Sequence, residues 1–332
     1  MDPRSGVAAI LILLPACSGG VPEPPLGSPP VAVTSVAAAT TIARPDRGSS
    51  WMATSPETSQ SLLYISDEGT FDVYVYSFPA LKLVGTLTGF SQPQGECVDR
   101  NGNVWIAGTQ VHQILEFAHG GKNAIHILVD PTGYPVGCAV DPTTGNLAVT
   151  NLFDFSGAGS VMIYPKGRGT PTPYANPKAY YYYFAGYDPK GNLYVSGRTG
   201  SNSYILSVLP HGKTSMGTVS ISGGSIHFPG TVQWAGSSLV LGDQKCDRIK
   251  SSCFYRTDVS GTVARVVGTT RLTGSCDVVQ AWIQSTQLAA GNYAACGGHA
   301  SSTTDIWPFP AGGKATKSVR GVTAPVAATI SN

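Results

Sequence analysis

Charged residues are scarce in this 332-residue chain: Asp, Glu, Lys and Arg together make up 12% of it. No long segment shows the apolar spacing of an amphipathic helix. The 40 glycines, 24 prolines and 15 tyrosines instead favour many short strands joined by turns. The net charge is +2 and Lys and Arg form no cluster, so the electrostatic footprint of a nucleic-acid-binding protein is missing.

Several motifs of catalysis and metal binding are also missing. The chain has no Gly-x-Ser-x-Gly nucleophile elbow, and Gly212-Lys213-Thr214 lacks the earlier glycine that a phosphate loop needs. Three aspartates precede a Gly-Asn pair without the alternating carboxylates and closing Glu of a calcium loop. These are Asp99, Asp141 and Asp188. Because Asp and Asn bond to nearby backbone in tight turns, we expect a structural role for them.

A strand–turn–strand pattern recurs along the chain. Pro93–Ile106 contains a short apolar strand, an Asp-x-x-Gly-Asn turn and a second strand, and the pattern returns at Pro135–Val149 and Phe184–Val195. Second strands are predicted to begin about 45 residues apart, a blade-length period, near Leu62, Val104, Leu147, Leu193, Leu239 and Leu288. Predicted third strands are Asp72–Phe78, Gln113–Ala118, Ser160–Pro165, Tyr204–Leu209, Phe254–Val259 and Asp305–Pro310. Predicted first strands are Gly95–Asp99, Gly137–Asp141, Gly186–Asp188, Gly230–Trp234 and Cys276–Ala281.

The unit at Leu62 has no predicted first strand before it. A first-strand sequence without a following blade occurs instead at the C-terminal end of the chain. Ala324–Ile330 reads like Tyr134–Val140 with no blade after it. We expect Pro325–Ile330 to pair beside Leu62–Ser66, because ring closure removes unpaired strand edges. The prediction for 55–332 is an all-β, six-bladed β-propeller with four-stranded antiparallel blades, closed by the C-terminal strand pairing into the first blade.

The segment Pro93–Ile106 is similar to the NHL-type propeller repeat, with the pattern Pro-x-Gly-x-x-Val-Asp-x-x-Gly-Asn-Val-Trp-Ile. The resemblance holds in Pro135–Val149 and Phe184–Val195 and fades in Phe228–Leu239 and Gly274–Leu288. The superfamily it implies includes binding modules, gluconolactonase-type lactonases, streptogramin lyase and peptide-amidating lyase. A fold shared by such different proteins does not name the function.

The N-terminus has the features of an export signal. The apolar run Val7–Pro15 is too short to span a bilayer. Leu14–Cys17 resembles the bacterial lipobox, which implies a lipoprotein signal region over 1–17 whose Cys17 is lipidated and becomes the new N-terminus. The alternative is an ordinary signal peptide in which Cys17 is incidental. Residues 18–54, rich in Pro, Gly and Ala, are predicted to be a tether. From the export signal, the expected location is extracytoplasmic, either lipid-anchored in the bacterial cell envelope or secreted.

Six cysteines remain after Cys17, an even number that suggests disulfides behind an export signal. A disulfide between Cys246 and Cys253 is predicted because they flank one polar loop. A second, between Cys276 and Cys296, is predicted because their positions share a face of a propeller. The third pair, Cys97–Cys138, lies on neighbouring first strands but one register position apart, which could point the side chains in different directions. With no close Cys-x-x-Cys, a metal site is not predicted.

Long, variable loops collect on one face of the predicted propeller, and binding usually resides in such loops. We place Glu96, His227 and Asp277 near the channel mouth on that face as ligand-binding candidates. The outer loops supply Asp67, Glu68, Asp154, Asp243 and His299. Tyr182 is a further candidate within the run Tyr180–Tyr183, which is either an aromatic lip for a sugar or peptide or a strand packed between sheets.

The sequence therefore favours a ligand- or protein-binding module without a catalytic set. We expect a protein, peptide or glycan ligand, no cofactor, no nucleic acid, membrane contact through the lipid anchor alone, and a monomer. The alternative is a metal-dependent lactonase or lyase, in which acids at the channel mouth hold a divalent cation and one acid acts as base.

Overall fold

A computed structural model describes residues 48–54, 60–246, 251–293 and 302–332. The regular structure in these ranges is β-strand, apart from single 3₁₀ turns at Thr109–Val111 and Pro165–Gly167. Within them no helix is long and apolar enough to cross a membrane. The predicted signal peptide, Cys17 and most of the predicted tether lie outside the described residues.

Twenty-seven strands are present in the described ranges. In chain order they are β1 (Trp51–Met52), β2 (Leu62–Asp67), β3 (Asp72–Ser77), β4 (Leu83–Leu87), β5 (Pro93–Val98), β6 (Val104–Gly108), β7 (Gln113–Phe117), β8 (Ala124–Val129), β9 (Gly133–Val140), β10 (Leu147–Asp154), β11 (Gly157–Ala158), β12 (Val161–Tyr164), β13 (Thr172–Tyr174), β14 (Tyr181–Tyr187), β15 (Leu193–Arg198), β16 (Tyr204–Leu209), β17 (Gly217–Ser222), β18 (Pro229–Ala235), β19 (Ser238–Asp243), β20 (Cys253–Ser260), β21 (Val263–Thr273), β22 (Ala281–Gln284), β23 (Gln287–Asn292), β24 (Thr303–Pro308), β25 (Gly313–Lys314), β26 (Lys317–Arg320) and β27 (Pro325–Ser331).

The strands form antiparallel sheets, as the sequence predicted. The first sheet has the order β1-β4-β3-β2-β27, the second β5-β6-β7-β8 and the last β22-β23-β24-β26. In the third, β10 pairs with β9 on one side and with β11 and β12 on the other, and β13 follows β12. A nine-stranded sheet holds two antiparallel runs, β14 to β17 and β18 to β21, joined by parallel pairing of β17 with β21. Its ninth strand, β25, lies parallel to β21.

The C-terminal strand β27 pairs antiparallel with β2, with Leu62 opposite Ser331 and Ser66 opposite Ala327. This is the pairing predicted for Pro325–Ile330. All seven residues of β27 are buried, so the strand belongs to the core of the first sheet. Besides β2, it contacts β5, β22 and β23.

One strand from each antiparallel run contacts the corresponding strand of the next. The contacts join β27 to β5, β5 to β9, β9 to β14, β14 to β18, β18 to β22, and β22 to β27. Glycines allow this approach: a Cβ atom at Gly137 would lie 2.5 Å from the Tyr183 carbonyl oxygen, and one at Gly186 2.4 Å from that of Val232. Backbone therefore packs directly against backbone where these strands meet.

The predicted turn residues have the predicted role. Asp99 accepts hydrogen bonds through Oδ1 from the backbone N–H groups of Asn101 and Asn103, at 2.8 and 2.9 Å. Gly102 between them has a φ of 82°, a conformation that strains other residues. Both bonds recur at Asp188. The Asp141 carboxylate accepts the Thr143 N–H in the same way, whereas the Asn146 N–H donates to the Thr144 hydroxyl.

Two segments differ from the predicted boundaries. Trp51 and Met52, assigned to the tether, pair with β4 as an additional outer strand. The strand expected over Cys276–Ala281 begins only at Ala281. Its preceding backbone is bonded elsewhere, since the Cys276 N–H donates to the Asn292 side chain and the Gln280 N–H to the Val326 carbonyl.

Two disulfides join described cysteines, Cys97–Cys138 and Cys246–Cys253. The register objection to Cys97–Cys138 fails because the bond crosses from β5 to β9, which belong to different sheets and share no ladder. Cys276 is also disulfide-bonded; its predicted partner, Cys296, lies outside the described residues.

We expect the two bridges to differ in their contribution to stability. Cys97–Cys138 spans 41 residues and Cys246–Cys253 only 7, and a longer closed loop restricts the unfolded chain more. Loop entropy gives about 4 kcal/mol for the first bridge and about 2 kcal/mol for the second. Urea unfolding of Cys97→Ala/Cys138→Ala and of Cys246→Ala/Cys253→Ala tests this, each variant removing two buried cysteines. Equal losses of unfolding free energy would contradict it.

Candidate functional site

Each antiparallel run of strands joins two kinds of loop at one end, which we call the loop face. It comprises the loops that follow β2, β6, β10, β15, β19 and β23, and those that enter β27, β5, β9, β14, β18 and β22. Within each run the two loops are linked by backbone hydrogen bonds of 2.8 to 3.2 Å. The donor and acceptor pairs are Glu68 to Ala324, Thr109 to Gln92, Phe155 to Thr132, Tyr180 to Arg198, Gln244 to Phe228, and Tyr293 to Cys276.

Acids that the sequence places in exposed outer loops link these two kinds of loop instead. Asp67, fully buried, accepts the backbone N–H groups of Thr323 and Ala324 at 2.6 and 2.9 Å. Asp243, also buried, accepts those of His227 and Phe228, both at 3.0 Å. Their carboxylates stabilise the entry to β27 and β18 and are occupied by backbone donors.

A related polar cluster lies at the third sheet. Asp130 Oδ1 accepts the N–H groups of Thr132 and Gly133, and the Asn151 amide donates to the same oxygen at 3.2 Å. Asp154 lies beside this cluster and accepts a bond from Ser160. Burial raises the pKa of Asp154, with the nearby Asp130 carboxylate adding to the shift. These contacts order the loop that enters β9.

Glu96, expected at the channel mouth, is in the interior. Its side chain is fully buried, and the Ser66 hydroxyl of β2 donates to Oε1 at 2.7 Å. Burial raises the pKa of Glu96 to about 8. A second carboxyl near the first sheet, Glu68, also has its pKa raised to about 8 by burial. Gln92 donates to Glu68 at 3.4 Å.

His227 lies at the loop face beside charged and aromatic neighbours. Its Nδ1 is 3.2 Å from Asp243 Oδ2, and the side chain is about a quarter exposed. Phe228, the next residue, has the Arg198 guanidinium 4.9 Å and the Lys245 ammonium 5.1 Å from its ring centre. Two cations therefore lie against the ring of the residue that follows His227.

Asp277 has a left-handed φ of 43° and is partly exposed. The three candidates for the channel mouth, Glu96, His227 and Asp277, do not form a shared metal site. Across the described parts of the chain, no three His, Cys, Asp or Glu side chains lie close enough together to hold an ion.

Tyr182 lies in the core. It is 1% exposed, and its hydroxyl donates to the carbonyl of Asn176 at 3.2 Å and accepts that residue's N–H at 2.6 Å. This burial agrees with packing between sheets. Tyr182 belongs to the core cluster that contains Ala148 and Val161, and Tyr183 contacts the ring of Phe228. Both faces of β14 are therefore covered. Tyr180 is exposed and contacts the ring of Tyr181.

An aromatic cluster at the loop face was not identified from the sequence. His112, Tyr134, Phe153 and Phe155, here called the aromatic surface, have ring centres 4.6 to 5.5 Å apart in successive contacts. Phe155 is 57% exposed. The four residues come from the loop after β6, the start of β9 and the end of β10, so only the fold brings them together.

The chain resembles several solved structures over most of its length. A chain of the nidogen/laminin complex matches with a TM-score of 0.61 and 10% identity, over 82% of this chain and 98% of that one. A protein of unknown function from Bacteroides caccae has a TM-score of 0.60 at 11% identity, and a functionally unknown protein from Desulfotomaculum acetoxidans 0.56 at 9%. Each covers 82% of this chain and 99% of its own. No family model and no curated protein matches the sequence. These likenesses show a β-propeller-type fold.

Proposed function

We propose that the molecule is a six-bladed, NHL-like propeller whose ring is closed by β27. The two antiparallel runs of the nine-stranded sheet then count as two blades. Support comes from the series of strand contacts that leads from β27 through β5, β9, β14, β18 and β22 back to β27. The pairing of β27 with β2 supplies the inner strand that the first blade lacks in the N-terminal half of the chain.

We propose further that the protein is exported and anchored through lipidated Cys17. The disulfides support an oxidising, extracytoplasmic compartment. The lipobox-like Leu14–Cys17 supports the anchor.

The proposed function of the propeller is to bind a peptide or glycan ligand at the loop face. The observation that carries this proposal is the aromatic surface. Apolar rings are normally buried, whereas Phe155 exposes more than half of its side chain while contacting His112 and Tyr134. Rings held in place by neighbouring rings lose little conformational freedom on binding, and such residues dominate many interfaces.

A binding comparison tests the aromatic surface. The full chain is screened on glycan and peptide arrays, and the affinity of each positive ligand is then measured for Phe155→Ala and Trp51→Ala. Trp51 is an exposed aromatic residue on β1, outside the loop face. We expect Phe155→Ala to weaken binding about tenfold or more and Trp51→Ala to leave it unchanged. An array without a positive, or equal affinities in both variants, would contradict the proposal.

The second candidate function, a metal-dependent lactonase or lyase, has one supporting observation. His227 is positioned by the buried Asp243 carboxylate and is partly open to solvent, which suits a general base. Hydrolysis of a lactone by the protein with Ca²⁺ or Zn²⁺, lost in His227→Gln, would favour this candidate over the binding module.

A further inference from the structure

In the part of the chain that the structure describes, the outer edges of the sheets are protected against pairing with another chain, with one exception. In the first sheet the short strand β1 covers β4. The outer strand β21 pairs with β17 of the neighbouring run and with the short strand β25. The outermost β13 is short and has Pro171 before it and Pro173 within it, and proline has no N–H to donate. The outermost β26 carries Lys317 and Arg320. Short strands, prolines and charges are the usual means of preventing edge pairing.

The exception is β8, the outer strand of the second sheet. Among the described strands it pairs only with β7, so alternate backbone groups point away from the sheet. Its sequence, Ala-Ile-His-Ile-Leu-Val, contains no Lys, Arg, Asp, Glu, Gly or Pro. Ile125, Ile127 and Val129 alternate along one face and are 56, 50 and 63% exposed. Its pairing with β7 is regular from His126 to Val129 and shifts register at Ile125. An uncharged, apolar edge of this kind is a template for strand addition.

We propose that β8 is a self-association surface, on which β8 of a second copy pairs antiparallel to form a twofold homodimer. A twofold axis perpendicular to the sheet makes two equivalent edge strands antiparallel and keeps their equivalent side chains on the same face. With the axis at Ile127, that residue lies opposite its own copy, and Ile125 lies opposite Val129.

The composition of β8 favours its own copy as the partner. Because the strand carries no lysine, arginine or carboxylate, self-pairing places no like charges opposite each other. The three exposed side chains are all β-branched and apolar, the type that packs best in cross-strand pairs. The proposal departs from the monomer expected from the sequence, and it is independent of ligand binding at the loop face.

Sedimentation equilibrium on the full chain over a concentration series tests the proposal. One pair of strands buries less surface area than a standard protein–protein interface. We therefore expect a reversible dimer with a dissociation constant on the order of micromolar. Ile127→Lys should weaken dimerisation about tenfold or more, because two cations would face each other at the axis. The control is Val263→Lys, an exposed apolar position on β21, which is paired on both sides; it should leave the dimer unchanged.

A charge-pair experiment separates self-pairing at Ile127 from a general loss of solubility or folding. Ile127→Lys and Ile127→Glu should each be monomeric with an unchanged melting temperature, and their mixture should restore the dimer as a heterodimer. A wild-type chain that remains monomeric at every concentration, or forms aggregates of undefined size, would overturn the proposal. So would a dimer that Ile127→Lys does not weaken.

Discussion

Deleting residues 324–332 is expected to leave a chain that does not fold cooperatively. The deletion removes β27, whose seven residues are all buried, and exposes the edge of β2 that it pairs with. It also removes Val326, Ala328 and Ile330 from contacts within the core. Burial of this amount of apolar surface contributes on the order of 5–10 kcal/mol, which is comparable to the whole stability of a typical domain.

Circular dichroism during urea titration, with dye binding to exposed apolar surface, measures this loss. Deleting only the exposed Asn332 is the matched control and should preserve the cooperative transition. Ile330→Ala, which removes one buried side chain, should cost about 2–4 kcal/mol. A peptide of residues 322–332 added to the truncated chain should restore part of the transition. Unchanged unfolding of the truncated chain would mean that β27 adds nothing to the fold.

The repeated turns explain why the strands could be predicted so closely. The Asp-x-x-Gly-Asn turns at Asp99 and Asp188, and the turn at Asp141 that is one residue longer, bond to their own backbone through the Asp side chain. Each therefore forms a hairpin from local sequence alone. The predicted second strands near Val104, Leu147 and Leu193 begin where the structure has them. The turn pattern fades before Leu288. There the strand preceding it was misplaced, because side chains such as Asn292 satisfy the backbone of 276–280 in a way that no local motif shows.

The candidate site was less predictable because it depends on contacts distant in sequence. Asp67 bonds to Thr323 and Ala324, about 256 positions away, and nothing near Asp67 distinguishes this role from that of a solvated loop acid. The aromatic surface is likewise assembled from three separate segments. Two site residues had a local signal for an interior position: Glu96 stands between Gly95 and Cys97 in an apolar strand, and Tyr182 lies within an aromatic run.

Glu96→Gln is expected to change how stability depends on pH. Burial raises the pKa of Glu96 to about 8 from 4.5, so the folded state keeps its proton at a pH where the unfolded state has lost it. The stabilisation from this group is complete below pH 4.5 and is lost as the pH rises through 8. Across this window the wild-type chain should lose on the order of a few kcal/mol.

In Glu96→Gln the side chain is neutral at every pH, and its oxygen can still accept the Ser66 bond now made to Oε1. The variant should therefore match the wild type near pH 5 and exceed it in unfolding free energy at pH 9. Burial raises the pKa of Glu68 to about 8 as well. Glu68→Gln should therefore also reduce the fall of the unfolding free energy with pH, and the double variant should remove most of that fall. Urea unfolding at pH 5, 7 and 9 gives the pH dependence of the unfolding free energy for the wild type and the three variants. The contrary result is an unfolding free energy of Glu96→Gln that falls with pH as steeply as that of the wild type. Glu96 would then be ionised in the folded state near neutral pH, and a group that stabilises its negative charge must lie beside it.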